Sequence, residues 1–226
     1  MKIDAFIFDL DGTLVDTELL WADAMSAYLA DRHCHCPKQT VLHIVFGHSW
    51  LDIYRDITAR FPVLANIASH TMADGLRDYY LRLREQGDGI VIHSSAALLK
   101  ALAAHHPVII VSGSPRKDVE EAVRLIGADH LVRFVLGAED YFPGKPSPAG
   151  FLRGAERLGV AQSNCLVFED SHAGVSAAKA AGMWCVALNR PTAHPQDLSA
   201  ADWLLEDLAG FSVAAFARHV KARHLP

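Results

Sequence analysis

The 226-residue chain is 51% apolar and 21% charged, with a formal net charge of -5. That make-up suits a globular protein of one good-sized domain, or a core domain plus a small accessory one. The charge and the absence of any Lys/Arg run exclude nucleic acid or a membrane surface as an expected partner. Four cysteines, Cys34, Cys36, Cys165 and Cys185, do not suggest a disulfide scaffold in a chain this long, so a reduced cytoplasm is the expected location.

The first apolar burst, Ile3 to Phe8, is broken by Asp4 and stopped by Asp9. It is too short for a signal peptide or a membrane span, and its β-rich composition predicts a buried strand. Asp9-Leu10-Asp11-Gly12-Thr13 follows. From about residue 17 to 89 the spacing predicts helices only: Leu19 to Ala30, Lys38 to Phe46, Trp50 to Arg60 and Ser69 to Glu85. His33-Cys34-His35-Cys36 interrupts them, but adjacent residues cannot easily wrap one tetrahedral ion and no second pair stands at zinc-finger spacing. It is read as a loop between helices.

Beyond residue 90, strands and helices alternate. Strands are predicted at Val108 to Val111, Val132 to Leu136, Cys165 to Phe168 and Trp184 to Leu188, with Trp203-Leu204-Leu205 as an edge strand before a C-terminal helix. Between them, Ser94 to Ala104, Arg116 to Ile126, Pro148 to Leu158 and Ala173 to Ala181 have helical spacing. Gly127, Gly159 and Gly182 follow three of these, where a C-cap favours positive φ. The alternation predicts an α/β fold with a doubly wound parallel sheet. Residues 1–16 and 90–226 would form its core and 17–89 a helical insertion after the first strand.

Ligands of such sheets bind beyond the carboxyl ends of the strands. Four of those ends carry matching chemistry: Asp9 and Asp11; Ser112-Gly113-Ser114; Gly144-Lys145-Pro146 after a short loop; and Glu169-Asp170. Four carboxylates in one crevice oppose one another's ionisation, and a hard divalent cation relieves that. An oxygen-only set, Asp9, Asp11, Glu169 and Asp170, suits Mg2+. Lys145, the Ser112 hydroxyl and the Gly113 N–H are candidate phosphate ligands, and the helix starting near Pro115 would aim its N-terminus at the same anion. Asp9 is the candidate nucleophile and Asp11 the acid–base group, while Thr13 is expected to hydrogen-bond the Asp9 region. An isolated Asp-Leu-Asp-Gly is an ordinary turn; the other three strand ends give it meaning.

The four motifs Asp9-Leu10-Asp11-Gly12-Thr13-Leu14-Val15-Asp16-Thr17, Val111-Ser112-Gly113-Ser114, Gly144-Lys145-Pro146-Ser147-Pro148 and Phe168-Glu169-Asp170-Ser171-His172-Ala173-Gly174 stand in the order of the haloacid dehalogenase-like superfamily, which the chain resembles. The resemblance implies a Rossmann-like core with an α-helical cap that closes over the site. It also implies Mg2+ held by Asp9, the Asp11 carbonyl and Asp170, with Glu169 near or in the shell. The dehalogenases and phosphonate hydrolases of that superfamily lack a carboxylate at the place of Asp11, which leaves phosphatases as the expected branch, acting on small phosphate esters such as sugar phosphates. The chain is also similar to β-phosphoglucomutase. Mutases of that kind carry His four residues after the Thr matching Thr17 and basic residues around the cap Gly. Here Trp21 takes the first place, and Phe46 and Trp50 flank Gly47-His48-Ser49. The mutase and a catalytically idle phosphate-binding protein stand as alternatives. Thr17, Trp21 and Gly47 are candidate substrate contacts from the cap; core packing explains the cap aromatics equally well. A monomer is the expected state.

Overall fold

The computed structural model describes residues 2–45, 50–85, 90–190 and 196–223. Its elements, in chain order, are β1 (Ala5–Phe8), α1 (Thr17–Ala30), α2 (Lys38–Val45), α3 (Trp50–Arg60), α4 (Ser69–Glu85), α5 (His93–Ala103), β2 (Val108–Val111), α6 (Arg116–Ile126), β3 (Val135–Leu136), α7 (Ala149–Leu158), β4 (Cys165–Glu169), α8 (His172–Ala180), β5 (Trp184–Leu188), β6 (Trp203–Leu205) and α9 (Val213–Arg223). Among the described residues no helix is long and apolar enough to cross a membrane.

The sheet runs β3-β2-β1-β4-β5-β6 and every pairing is parallel. This is a doubly wound α/β fold with its order reversing at β1, so the crevice lies beyond the ends of β1 and β4. β1, β2 and β4 are buried at every residue, which is why their sequences read as unbroken Ala-Phe-Ile-Phe, Val-Ile-Ile-Val and Cys-Leu-Val-Phe rather than as alternation. Ile7, Ile109 and Val167 face Phe151 of α7 and Val175 of α8 in one core cluster. Phe6, Phe8 and Phe168 occupy the other pleat, with Phe8 and Phe168 stacked at 4.5 Å.

Two strands are shorter than their apolar runs. β1 begins at Ala5 instead of Ile3, and β3 holds Val135–Leu136 alone. In the latter case the Val132 amide turns back to the Ala128 carbonyl at 3.1 Å, which keeps that residue in the turn leaving α6. Propensity marks the apolar stretch; the hydrogen bonds of the preceding turn decide where pairing starts.

The chain divides into two compact units, one of residues 2–15, 91–190 and 196–223 and the other within 16–90. Among the described residues the second has helices only. Asp16 caps α1 by accepting the Leu19 amide at 3.4 Å. Trp21 of α1 stacks on Tyr80 of α4, centroids 4.1 Å apart. His33-Cys34-His35-Cys36 lies beyond α1, with Cys34 buried and His33 and His35 exposed.

Candidate active site

Asp9 is the first residue past β1, and its amide donates to the Phe168 carbonyl at 2.9 Å. The chain then closes a tight turn in which the Leu14 and Val15 amides both return to the Leu10 carbonyl, at 2.8 and 3.1 Å. Gly12 makes the turn possible: it has φ +79°, and a Cβ there would fall 2.0 Å from Asp170 Oδ2. Only glycine provides both the left-handed backbone and that space. Thr13, fully buried, donates its hydroxyl to Asp170 Oδ1 at 3.3 Å. It thus bonds into the Asp9 region through Asp170, whose carboxylate stands beside that of Asp9.

Lys145 links the two strand ends. Its ammonium donates to Asp9 Oδ1 and, at 2.5 Å, to Glu169 Oε1. Glu169 is completely buried, and its other oxygen accepts from the Asp170 amide, the Ser171 amide and the Ser171 hydroxyl, each at 2.9 Å. Gly174 lies against this carboxylate, where a Cβ would come within 1.7 Å of Oε1. Burial, helped by the carboxylates of Glu169, Asp170 and Asp11, pushes Asp9 well above the ordinary aspartate range against the opposing pull of Lys145. Burial alone would lower Lys145, but Asp9 and Glu169 more than reverse it and keep the ammonium charged.

Asp11 faces the end of β2. Its Oδ2 accepts the Ser114 hydroxyl at 2.7 Å and the Ser112 hydroxyl at 3.3 Å. Ser112 is fully buried and is anchored by the Tyr141 hydroxyl, which donates to its carbonyl at 2.8 Å. Gly113 is exposed, with open space where a side chain would stand. The α6 N-terminus is less available than expected, because the Arg116 amide already donates to Glu139 Oε2 at 2.9 Å. His172 is exposed; its amide meets Gln196 and its ring the Asp197 carbonyl.

Asp9, Glu169 and Asp170 each offer an oxygen within 4.8 Å of the others. With Lys145 as the cation paired to two of them and Asp11 close by, the group carries excess negative charge. An all-oxygen donor set of this charge fits a hard divalent cation. Glu169 has the least coordination left to offer, since both its oxygens are engaged.

The structure therefore brings Asp9, Asp11, Ser112, Lys145, Glu169 and Asp170 together beyond the carboxyl ends of the central strands, beside Gly113. Thr17 and Trp21 belong to the other unit, and Gly47, with Phe46 and His48, lies outside the described residues. Ser114 is the contact the sequence reading did not assign. It stands inside the quoted Val111-Ser112-Gly113-Ser114 motif, but a serine in a strand-end turn has no spacing that announces a role.

A family model for haloacid dehalogenase-like hydrolases matches residues 3–182. Among characterised proteins, the chain is 33% identical over 206 residues to validoxylamine A 7'-phosphate phosphatase of Streptomyces hygroscopicus subsp. limoneus, covering 89% of this chain and 92% of that one. It is 31% identical over 227 residues to hexitol phosphatase A of Escherichia coli, covering 94% and 95%. Of solved structures, a putative β-phosphoglucomutase from Thermotoga maritima superposes with TM-score 0.77 over 98% of both chains at 20% identity, a likeness of fold. A HAD family hydrolase from Deinococcus radiodurans with bound phosphate and sodium gives TM-score 0.68 at 26% identity, covering 96% of this chain and 88% of that one.

Proposed function

The chain belongs to the haloacid dehalogenase-like hydrolases, and within that family we propose that it is a Mg2+-dependent phosphatase of small phosphate monoesters, sugar or polyol phosphates above all. The observation that carries this reading is the convergence of Asp9, Asp11, Lys145 and Asp170 on one strand-end crevice. Relatives named validoxylamine A 7'-phosphate phosphatase and hexitol phosphatase A support the substrate class.

Asp9 and Asp170, with the Asp11 carbonyl, would hold the cation, and Glu169 would hold Lys145. When bound, Mg2+ supplies charge neutralisation that keeps Asp9 ionised and offsets charge on the phosphoryl oxygens. Asp9 attacks phosphorus in line, forming an aspartyl-phosphate as the ester bond breaks. Lys145 stabilises the equatorial oxygens, together with the Ser112 hydroxyl and Gly113 N–H. Asp11 gives its proton to the leaving alcohol, then takes one from water as that water attacks the phosphoaspartate.

Hydrolysis of p-nitrophenyl phosphate tests the reading. Phosphate release that depends on magnesium, stops in EDTA and is abolished by Asp9→Asn is the expected result. No magnesium-dependent release would show an idle phosphate-binding protein instead, and glucose 6-phosphate formed from β-glucose 1-phosphate would show the mutase. A screen of phosphorylated metabolites would then identify the substrate. The chain is proposed to work in the cytoplasm as a monomer.

A further inference from the structure

We propose that Ser114 is a positioning residue for proton transfer: its hydroxyl holds Asp11 Oδ2 and so fixes the plane of the carboxyl that serves the leaving oxygen. This rests on the phosphatase reading and on Asp11 as its acid–base group.

The distances identify which serine does the holding. Ser114 Oγ stands 2.7 Å from Asp11 Oδ2, an ordinary O–H···O separation, while Ser112 Oγ stands 3.3 Å from the same atom. Ser112 also has another engagement, because its Oγ accepts the Ser114 amide at 2.9 Å. Ser114 is itself fixed at both ends of its peptide frame, through that bond and through the Ala138 amide, which donates to its carbonyl at 2.9 Å.

The terminal torsion of an aspartate is broad and nearly two-fold, so a carboxyl without a directional partner exchanges its two oxygens. The Ser114 hydroxyl supplies that directional partner and holds the carboxyl plane. In the transfer the O–H bond of the Asp11 carboxyl breaks, its electron pair stays on Asp11, and a new O–H bond forms on the departing alkoxide. In the second half, Asp11 recovers a proton from the attacking water.

The test uses leaving groups of different need. Nitrophenolate leaves readily without a proton, whereas the benzyl alkoxide requires one, so an acid-positioning defect falls on the second. Wild type, Ser114→Ala and Ser114→Thr are compared on p-nitrophenyl phosphate and benzyl phosphate with saturating magnesium. For Ser114→Ala the kcat loss on benzyl phosphate should exceed that on p-nitrophenyl phosphate about tenfold, a fraction of the ~10²–10⁴ that acid–base catalysis contributes. Ser114→Thr, which keeps the hydroxyl, should restore most of the difference. Equal losses on both probes, or none, overturn the role of Ser114 while leaving the phosphatase intact. No release from either probe by wild type overturns both readings.

Discussion

The Glu169 carboxylate fills the space beside Gly174, leaving no room for even a methyl group between them. In an exposed helix, alanine would be preferred over glycine by about 0.8–1.0 kcal/mol. Here overpacking, typically about 1–3 kcal/mol, works against a carboxylate already clamped by Lys145 and three further donors. The clash should win. Gly174→Ala is expected to lower the denaturant midpoint and to cut turnover, since Glu169 cannot yield without releasing Lys145. A variant as stable and as active as wild type would contradict this packing.

Lys145 neutralises two buried carboxylates at once. Lys145→Ala leaves Asp9 and Glu169 buried without their cation, and removing one partner of a buried ion pair costs about 3–5 kcal/mol. Guanidinium unfolding in EDTA should show a loss of that order. Adding Asp9→Asn to the same chain should recover part of it, because one of the stranded charges goes too.

Stability should depend on pH in a direction set by Asp9. Its folded-state value lies above the ordinary 3.8, chiefly through burial. Above about pH 4 the unfolded chain has released a proton that the folded chain still holds, so metal-free stability falls as pH rises toward the folded value. Lys145 is raised above its ordinary 10.5, so its contribution is complete through this range and is lost only at higher pH. Urea midpoints measured in EDTA should therefore decline as pH rises above about 4, and Asp9→Asn should flatten that decline. Excess Mg2+ binds the ionised form of the folded state and should offset the fall. A midpoint slope unaffected by Asp9→Asn would refute the assignment.

Gly12→Ala should impair metal dependence more than folding. Its left-handed backbone costs a non-glycine residue about 1–2 kcal/mol, and the new Cβ would drive Asp170 out of place. The expected outcome is a higher magnesium concentration for half-maximal activity, read from a titration of p-nitrophenyl phosphate hydrolysis. An unchanged half-point would separate Asp170 from the cation.

Much of this was legible from residues alone because the physical signals are local. Unbroken apolar runs mark strands buried on both faces, and Gly127 and Gly159 do end α6 and α7 in the left-handed region. Carboxylates placed just past β1 and β4 announce a crevice before any coordinates. What the sequence could not supply is which oxygen meets which donor. The four acids look equivalent on paper, yet Glu169 is taken up by Lys145 and the start of α8, while Asp11 turns to Ser114 in the loop after β2. Those choices are made by tertiary packing, as is the use of Glu139 to occupy the Arg116 amide.

The central place of β1 also has a consequence for how the protein is made. Phe6 pairs with Val108 on one side and Leu166 on the other, so both partners leave the ribosome long after it does. Contacts so distant in sequence are slow to form, and until β2 and β4 follow, Ala5–Phe8 is an uncovered apolar segment of the kind that recruits chaperones or aggregates. The helices of residues 16–90 need no such wait, since α1 packs on α2 and α4 within that stretch. Asp9 is translated well before Glu169 and Asp170, and its surroundings are completed only when β4 arrives.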